Sequence, residues 1–260
     1  GEMITVTTGE HGFRMNTDQV RPVPNEAIVA VGDSFAVGSE VRDDESWPAF
    51  LERALEEPVI NAGTGGWGSD QIVLRAEQTA DMWQPHSVIV SFLWQDILRS
   101  EYAIYAGGHK PYFSIEGGEL LHHNNPIPVY EGNAQEIGWA RSILGYSHLM
   151  TWATQRLGHD TWLISHALQY QRAHPNGTGI DISCRLLERL KEKADRDNFR
   201  LIFLMQYASN DFEANGTEVM APPAQAVAVS TCAADDFGIE TVDRWDAIKA
   251  IYSTDLSHGC

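Results

Sequence analysis

Short apolar runs alternate along the chain with longer amphipathic stretches. Apolar runs bounded by Gly, Pro or polar residues are typical of buried strands, and apolar positions three or four residues apart are typical of helices. Five strands are predicted, over 27–31, 59–62, 87–94, 200–206 and 238–242. Helices are predicted to start at 47 and to span 69–83, 134–157, 221–234 and 243–251. A further helix is predicted after the loop 174–177, with Leu186, Leu187, Leu190 and Ala194 on one face.

The order of these elements indicates the architecture. Strand, helix, strand, helix and strand follow one another with short connections over the first hundred residues, which implies parallel strands and right-handed crossovers. We therefore predict an α/β fold, a three-layer sandwich with a mostly parallel five-stranded sheet. The rhythm breaks at about 100–150, where 112–121 is predicted to form a hairpin turning at Gly117-Gly118. We expect one domain over 1–260, with 100–150 as an insertion that shapes a binding cleft.

The charge balance limits the partners of the chain. There are 36 acidic and 18 basic residues, for a formal net charge of −18, which argues against nucleic acid and anionic membranes as partners. No apolar stretch approaches a membrane span, and we expect no signal peptide in this chain. A cytoplasmic and an extracytoplasmic location both stay open.

The three cysteines, Cys184, Cys232 and Cys260, are far apart in the sequence. Neither a C-x-x-C pair nor a His-rich metal spacing accompanies them, so no structural zinc is expected. One disulfide is an open alternative, but we expect free thiols packed in helices.

The end of the first strand carries a candidate nucleophile. The apolar run stops at Gly32 and is followed by Asp33 and Ser34, beyond the carboxyl end of a strand, where ligands bind in open α/β sheets. A serine nucleophile needs a base, a group that orients the base, and donors for the oxyanion. Asp255 and His258 have a spacing that places the carboxylate beside Nδ1 and leaves Nε2 facing the serine.

Four segments together resemble the motifs of the GDSL, or SGNH, hydrolase family. Gly32-Asp33-Ser34-Phe35 is similar to its first motif, and Asp255-Leu256-Ser257-His258 to its last. Asn61, with Gly66 five residues later, matches the second motif, and Gln95-Asp96 stands where the third has Asn-Asp.

The resemblance implies a flavodoxin-like fold and ester hydrolysis through an acyl-Ser34 intermediate. His258 would be the general base and then acid, and Asp255 its orienter. The N–H groups of Ser34 and Gly66 and the Gln95 amide would form the oxyanion hole. No metal or cofactor is implied, and the substrate would be a small-molecule or carbohydrate acyl ester, such as an acetyl ester. Acyl transfer to a carbohydrate hydroxyl is the nearest alternative.

Gln95 is a departure from the family pattern. Glutamine offers the same amide N–H groups as asparagine on a longer and more flexible side chain. We expect this to affect the rate more than the type of reaction. Asp33, Asn61, Trp67 and Trp94 adjoin the proposed site and are predicted to contact substrate, the two indoles by stacking on a sugar ring.

Two other kinds of function compete with this interpretation. Gly63–Gly68 satisfies G-x-G-x-x-G between a strand and a helix, as in dinucleotide-binding oxidoreductases. Against it, Trp67 would crowd the phosphates, and no acidic residue lies about 20 residues further on at a strand end. A non-catalytic module with the same fold is the other alternative. The G-x-S-x-G elbow of α/β-hydrolases is absent.

Overall fold

A computed structural model of the chain describes residues 4–16, 27–128, 170–214, 217–218 and 221–250. Its strands are β1 (Ile28–Val31), β2 (Val59–Asn61), β3 (Ser87–Leu93), β4 (Tyr102–Tyr105), β5 (Gly108–His109), β6 (Tyr112–Glu116), β7 (Glu119–His123), β8 (Gln171–Arg172), β9 (Arg200–Gln206), β10 (Glu213–Ala214), β11 (Thr217–Glu218) and β12 (Glu240–Asp243). Its α-helices are α1 (Ser34–Val37), α2 (Trp47–Leu55), α3 (Ser69–Trp83), α4 (Trp94–Arg99), α5 (Thr178–Asp197) and α6 (Ala224–Thr231). Residues 245–250 are also helical. None of the helices described is long and apolar enough to cross a membrane.

The central sheet has five strands in the order β12-β9-β3-β1-β2. Every neighbouring pair in it is parallel, which confirms the predicted α/β sheet. Because β1 lies between β2 and β3, the segments that follow these three strands emerge side by side at one edge of the sheet. The first three strand-end motifs of the sequence therefore meet there.

The two faces of the sheet are covered by different helices. Along β1, Val29 and Val31 belong to the larger core, together with buried side chains of α3, α5 and α6. Ile28 and Ala30 point to the opposite face, where Trp47 and Leu51 of α2 pack against them. This alternation is the two-residue period of a strand buried on both faces.

The start of α2 follows from its sequence. The Ser46 hydroxyl accepts a hydrogen bond from Ala49 N at 3.4 Å, and Pro48 occupies the first turn, where it removes no helical hydrogen bond. The helical spacing of the apolar residues from Trp47 onward predicts that Phe50 packs in the core, but this prediction is wrong, because Phe50 is 57% exposed. It lies on the outer face of α2, with the Arg53 guanidinium 4.4 Å from its ring centroid.

The insertion begins as antiparallel structure. β6 and β7 form the predicted hairpin, with Gly117 and Gly118 at positive φ in its turn, while β4 pairs with β5 and β8. Antiparallel strands this short need only tight turns, so this part of the chain departs from the strand–helix rhythm. The predicted helix over 134–157 lies outside the described residues.

The prediction of free thiols is wrong for two of the cysteines. Cys184 on α5 and Cys232, directly after α6, form a disulfide. Both were predicted in helices, but the sequence does not show that these helices pack against each other across 48 residues. The bond therefore ties together two helices on the same face of the sheet.

Reducing this disulfide should lower the free energy of unfolding by about 2–4 kcal/mol, because the intact bond closes a long loop and so restricts the unfolded chain. Urea unfolding with and without a phosphine reductant measures the difference. Cys260→Ser, which leaves the bond intact, is the control and should unfold like the wild type. Identical urea midpoints for the oxidised and reduced protein would contradict the prediction.

Candidate active site

Ser34 is the first residue of α1, directly beyond the carboxyl end of β1. Asp33 caps this short helix by accepting a hydrogen bond from Phe35 N at 2.9 Å. The Ser34 hydroxyl donates to the Asp33 carboxylate at 3.3 Å. The Asp33 side chain is buried, and Ser34 is half-buried. The turn therefore places Ser34 at the carboxyl end of β1, as predicted.

Asn61 joins α1 to the loop that follows β2. Its amide N–H donates to Ala36 O at 3.0 Å, and its amide oxygen accepts from Gly63 N at 3.1 Å. The side chain is fully buried. Asn61 and Asp33 are thus buried, and their side chains hold the turns around Ser34 instead of facing a bound molecule.

The loop 62–68, which we call the glycine loop, packs closely on α1. A Cβ at Gly63 would lie 2.4 Å from Val37 N, which is closer than atoms can approach. A Cβ at Gly65 would lie 3.7 Å from Ser34 Cβ, so this loop borders the candidate nucleophile. In a G-x-G-x-x-G fingerprint the second glycine approaches the pyrophosphate, and here that glycine, Gly65, faces Ser34 and Ser39.

Gly66 stands at the exposed crest of the glycine loop. Its φ of +79° lies in the left-handed region that favours glycine. Among the described residues, apart from its two chain neighbours, no atom lies within 4 Å of the position that its Cβ would take. The backbone at Gly66 is therefore open to a molecule bound beside Ser34.

Gln95 is the second residue of α4, which begins where β3 ends. Its amide oxygen is buried and has no hydrogen-bond partner among the described residues. Trp94, beside it, donates its indole N–H to Asp211 at 2.8 Å. The indole N–H of Trp94 is thus already hydrogen-bonded within the protein, whereas the amide oxygen of Gln95 is not.

Asp96 and Arg99 form a buried ion pair one turn apart on α4. Burial raises the pKa of Asp96 well above its usual range, the nearby Asp33 carboxylate raises it further, and Arg99 opposes both. Burial lowers the pKa of the Arg99 guanidinium, but Asp96, Tyr105 and Asp33 together outweigh this effect and leave the pKa raised. Arg99 therefore stays charged among these carboxylates.

Arg14, from the N-terminal segment, fastens the end of α1 from the other side. Its guanidinium donates to the carbonyl groups of Val37 and Gly38, to Val41 O at 2.6 Å, and to Asp43 at 3.0 Å. The side chain is fully buried. An arginine that uses all its donors on one bend of chain fixes that bend, and here the bend follows Ser34 directly.

The structure brings together the predicted residues of the first three motifs. Ser34, Asn61, Gly66 and Gln95 all lie at the ends of the adjacent strands β1, β2 and β3. Asp255 and His258 lie outside the described residues, so their place beside Ser34 stays a prediction. Sequence reasoning missed Arg14 and Arg99, and only the three-residue spacing of Asp96 and Arg99 on a helix was a signal for either.

No protein-family model and no curated protein matches the sequence. Solved structures of esterases resemble it. A variant of the esterase AlinE4 is 15% identical, with a TM-score of 0.47 and coverage of 91% of this chain and 84% of that one. AlinE4 itself, described as an SGNH-hydrolase family esterase, is 15% identical, with a TM-score of 0.44 and coverage of 92% and 96%. The psychrotrophic esterase EstA from Pseudoalteromonas is 11% identical, with a TM-score of 0.43 and coverage of 89% and 94%. A function must therefore follow from the residues of the site.

Proposed function

We propose that this protein is a serine-dependent ester hydrolase with Ser34 as its nucleophile. The observation that carries the proposal is the position of Ser34, at the start of α1 with the glycine loop of the neighbouring strand beside it. The oxyanion formed when a serine attacks an ester needs hydrogen-bond donors close by, and the backbone of this loop borders Ser34 at Gly65.

The reaction would proceed in two acyl-transfer steps. Ser34 Oγ attacks the ester carbonyl while His258 Nε2 takes its proton, and the alcohol then leaves with that proton, which gives acyl-Ser34. Water attacks the acyl-enzyme with His258 again as base, and the carboxylic acid is released. Asp255 would hold the imidazole of His258 in the tautomer that these proton transfers require.

Three donors would stabilise the oxyanion of each tetrahedral intermediate. The N–H of Ser34 belongs to the first turn of α1, where backbone donors lack helical partners. The N–H of Gly66 lies on the open crest of the glycine loop. Gln95 would supply the third from the N–H groups of its side-chain amide, at the start of α4.

The surface around Ser34 supports a small acyl ester as substrate, with acetyl as the smallest case. Phe35 is 42% exposed directly beside the nucleophile, and Gly65 and Gly66 are exposed as well. This combination offers one apolar surface for the acyl group or the alcohol and leaves a path for water. The proposed acyl acceptor is water, and transfer to a carbohydrate hydroxyl is the alternative.

The test is a series of p-nitrophenyl esters of increasing chain length, combined with a fluorophosphonate probe. We expect hydrolysis of the short esters and one labelled peptide, the one that contains Ser34, identified by mass spectrometry. Labelling of another serine would refute the nucleophile, and failure to hydrolyse any ester of the series would refute the hydrolase.

Replacing Gln95 by alanine should lower kcat about tenfold to a hundredfold with little change in KM, because an oxyanion contact tightens only in the transition state. Steady-state kinetics on the best p-nitrophenyl ester measures both constants. Gln95→Asn is the matched variant, since it keeps the amide on a shorter side chain. An asparagine as slow as alanine would show that the backbone is adapted to glutamine. If neither variant changes kcat, Gln95 is not the third donor.

A further inference from the structure

Arg99 contacts all three segments that form the proposed oxyanion hole. Its Nη1 donates to Trp67 O at 3.1 Å, next to Gly66, and to the Asp96 carboxylate, next to Gln95. The same nitrogen lies 3.5 Å from Asp33 Oδ2, next to Ser34. Each of the three proposed donors thus has a chain neighbour held by one guanidinium.

Backbone packing supports the same connection. A Cβ at Gly68 would lie 3.0 Å from both the carbonyl carbon and the Cβ of Arg99, so the end of the glycine loop rests on the last turn of α4. On the other side, Arg99 Nε donates to the Tyr105 hydroxyl at 3.3 Å. The arginine is therefore fixed from the insertion as well as from the sheet.

The charges around Arg99 explain why a cation stands there. Asp33 and Asp96 are both fully buried, and the separate Lys110–Asp70 pair lies close by, at the start of α3. Two buried carboxylates in one cluster repel each other unless a cation lies between them. Guanidinium suits this place because Nη1 donates to Trp67 O and Asp96 while Nε donates to Tyr105 from a fixed position in the same plane, whereas an ammonium group is a single charged centre with rotatable donors.

We propose that Arg99 is a positioning residue that holds the Ser34 turn, the glycine loop and the start of α4 in one geometry. It acts through the main chain beside Ser34, Gly66 and Gln95 and does not itself touch the substrate. This inference rests on the proposed hydrolase function, since it assigns Arg99 a part in building the oxyanion hole of that reaction.

The primary test is Arg99→Lys, which keeps the positive charge among the carboxylates but loses the fork. We expect kcat to fall about a hundredfold, the loss typical of a misplacement of about 1 Å in a site, with KM within about twofold of the wild type. Hydrogen exchange followed by mass spectrometry should show faster exchange in the peptide that covers 64–68 and unchanged exchange in β1 and β3.

Two further variants keep the test sharp if charge or folding interferes. Arg189→Lys is the matched control, because Arg189 also pairs with a carboxylate, Glu77, and lies over a ring, Phe113, but makes no contact with the described residues of the proposed site. It should leave kcat and the exchange of 64–68 unchanged. The double variant Arg99→Met/Asp96→Asn removes one charge of each sign and should lose kcat like Arg99→Lys.

The outcomes separate this inference from the proposed function. If the wild type hydrolyses esters and is labelled at Ser34 but folded Arg99 variants keep kcat, only the positioning role is overturned. A rise in KM at unchanged kcat would make Arg99 a substrate-binding residue and also overturn it. Faster hydrogen exchange throughout the protein would mean that Arg99 only stabilises the fold, and this would overturn the positioning role. A wild type that neither hydrolyses esters nor reacts with the probe overturns both proposals.

Discussion

Replacing Ser34 by alanine should lower kcat for ester hydrolysis by about 10⁴- to 10⁶-fold, the range seen when a serine hydrolase loses its nucleophile. No acyl-enzyme can form without the hydroxyl, and the rate that remains comes from binding and from the oxyanion donors alone. Fluorophosphonate labelling should disappear together with the activity. Both losses should occur in a folded protein, because the hydroxyl is half-buried and Asp33 still caps α1 through Phe35 N.

Ser39→Ala is the matched control for this experiment. Ser39 lies on the exposed chain just beyond α1, and its hydroxyl would be 3.7 Å from a Cβ at Gly65, so it borders the same glycine loop. We expect activity and labelling close to those of the wild type. Activity in Ser34→Ala above a small fraction of the wild-type value would remove Ser34 from the mechanism.

Replacing His258 by alanine should lower kcat by about 10³- to 10⁶-fold, because Ser34 then has no base to take its proton and the leaving alcohol no acid. The melting temperature should stay near that of the wild type. Kinetics at substrate saturation measures the loss, and Asp255→Asn should cost less than His258→Ala, since the orienting carboxylate is the least costly member of such a triad to remove.

His86→Ala is the control for a general effect of histidine removal. His86 is partly exposed and lies 3.5 Å from Glu57 at the amino end of β3, opposite the edge that carries Ser34. It should keep full activity. A fully active His258→Ala would mean that the base comes from another histidine and that the C-terminal motif was wrongly assigned.

The sheet could be predicted because each of its strands can be recognised from a short, local segment of the sequence. Each of β1, β3 and β9 is a short apolar run that ends at polar or turn residues, and short connections with helices between them leave the parallel order as the natural outcome. The edge position of Ser34 followed from the same local signals. The three strand-end motifs needed only the parallel order to be brought together.

The contacts between distant segments could not be predicted. The partners of Arg99 lie at Asp33, Trp67, Asp96 and Tyr105, and all but Asp96 come from other elements. The disulfide depends likewise on the packing of α5 against α6. The helical spacing of apolar residues predicts that Phe50 packs in the core. Which of the apolar residues of α2 is covered depends instead on where the helix lies against the sheet.

The clamp made by Arg14 determines where the chain can be shortened. Residues 4–16 add no strand to the described sheets and are linked to the rest of the protein by one isolated β-bridge, from Arg14 to Asn61, so a trimmed form that starts at β1 would look like the removal of a dispensable tail. It would delete the donors that hold the carbonyl groups of Val37, Gly38 and Val41. The bend that follows Ser34 would then be fixed from one side only. A screen that selects trimmed forms by yield alone would therefore choose well-expressed protein in which Ser34 is held less firmly in position.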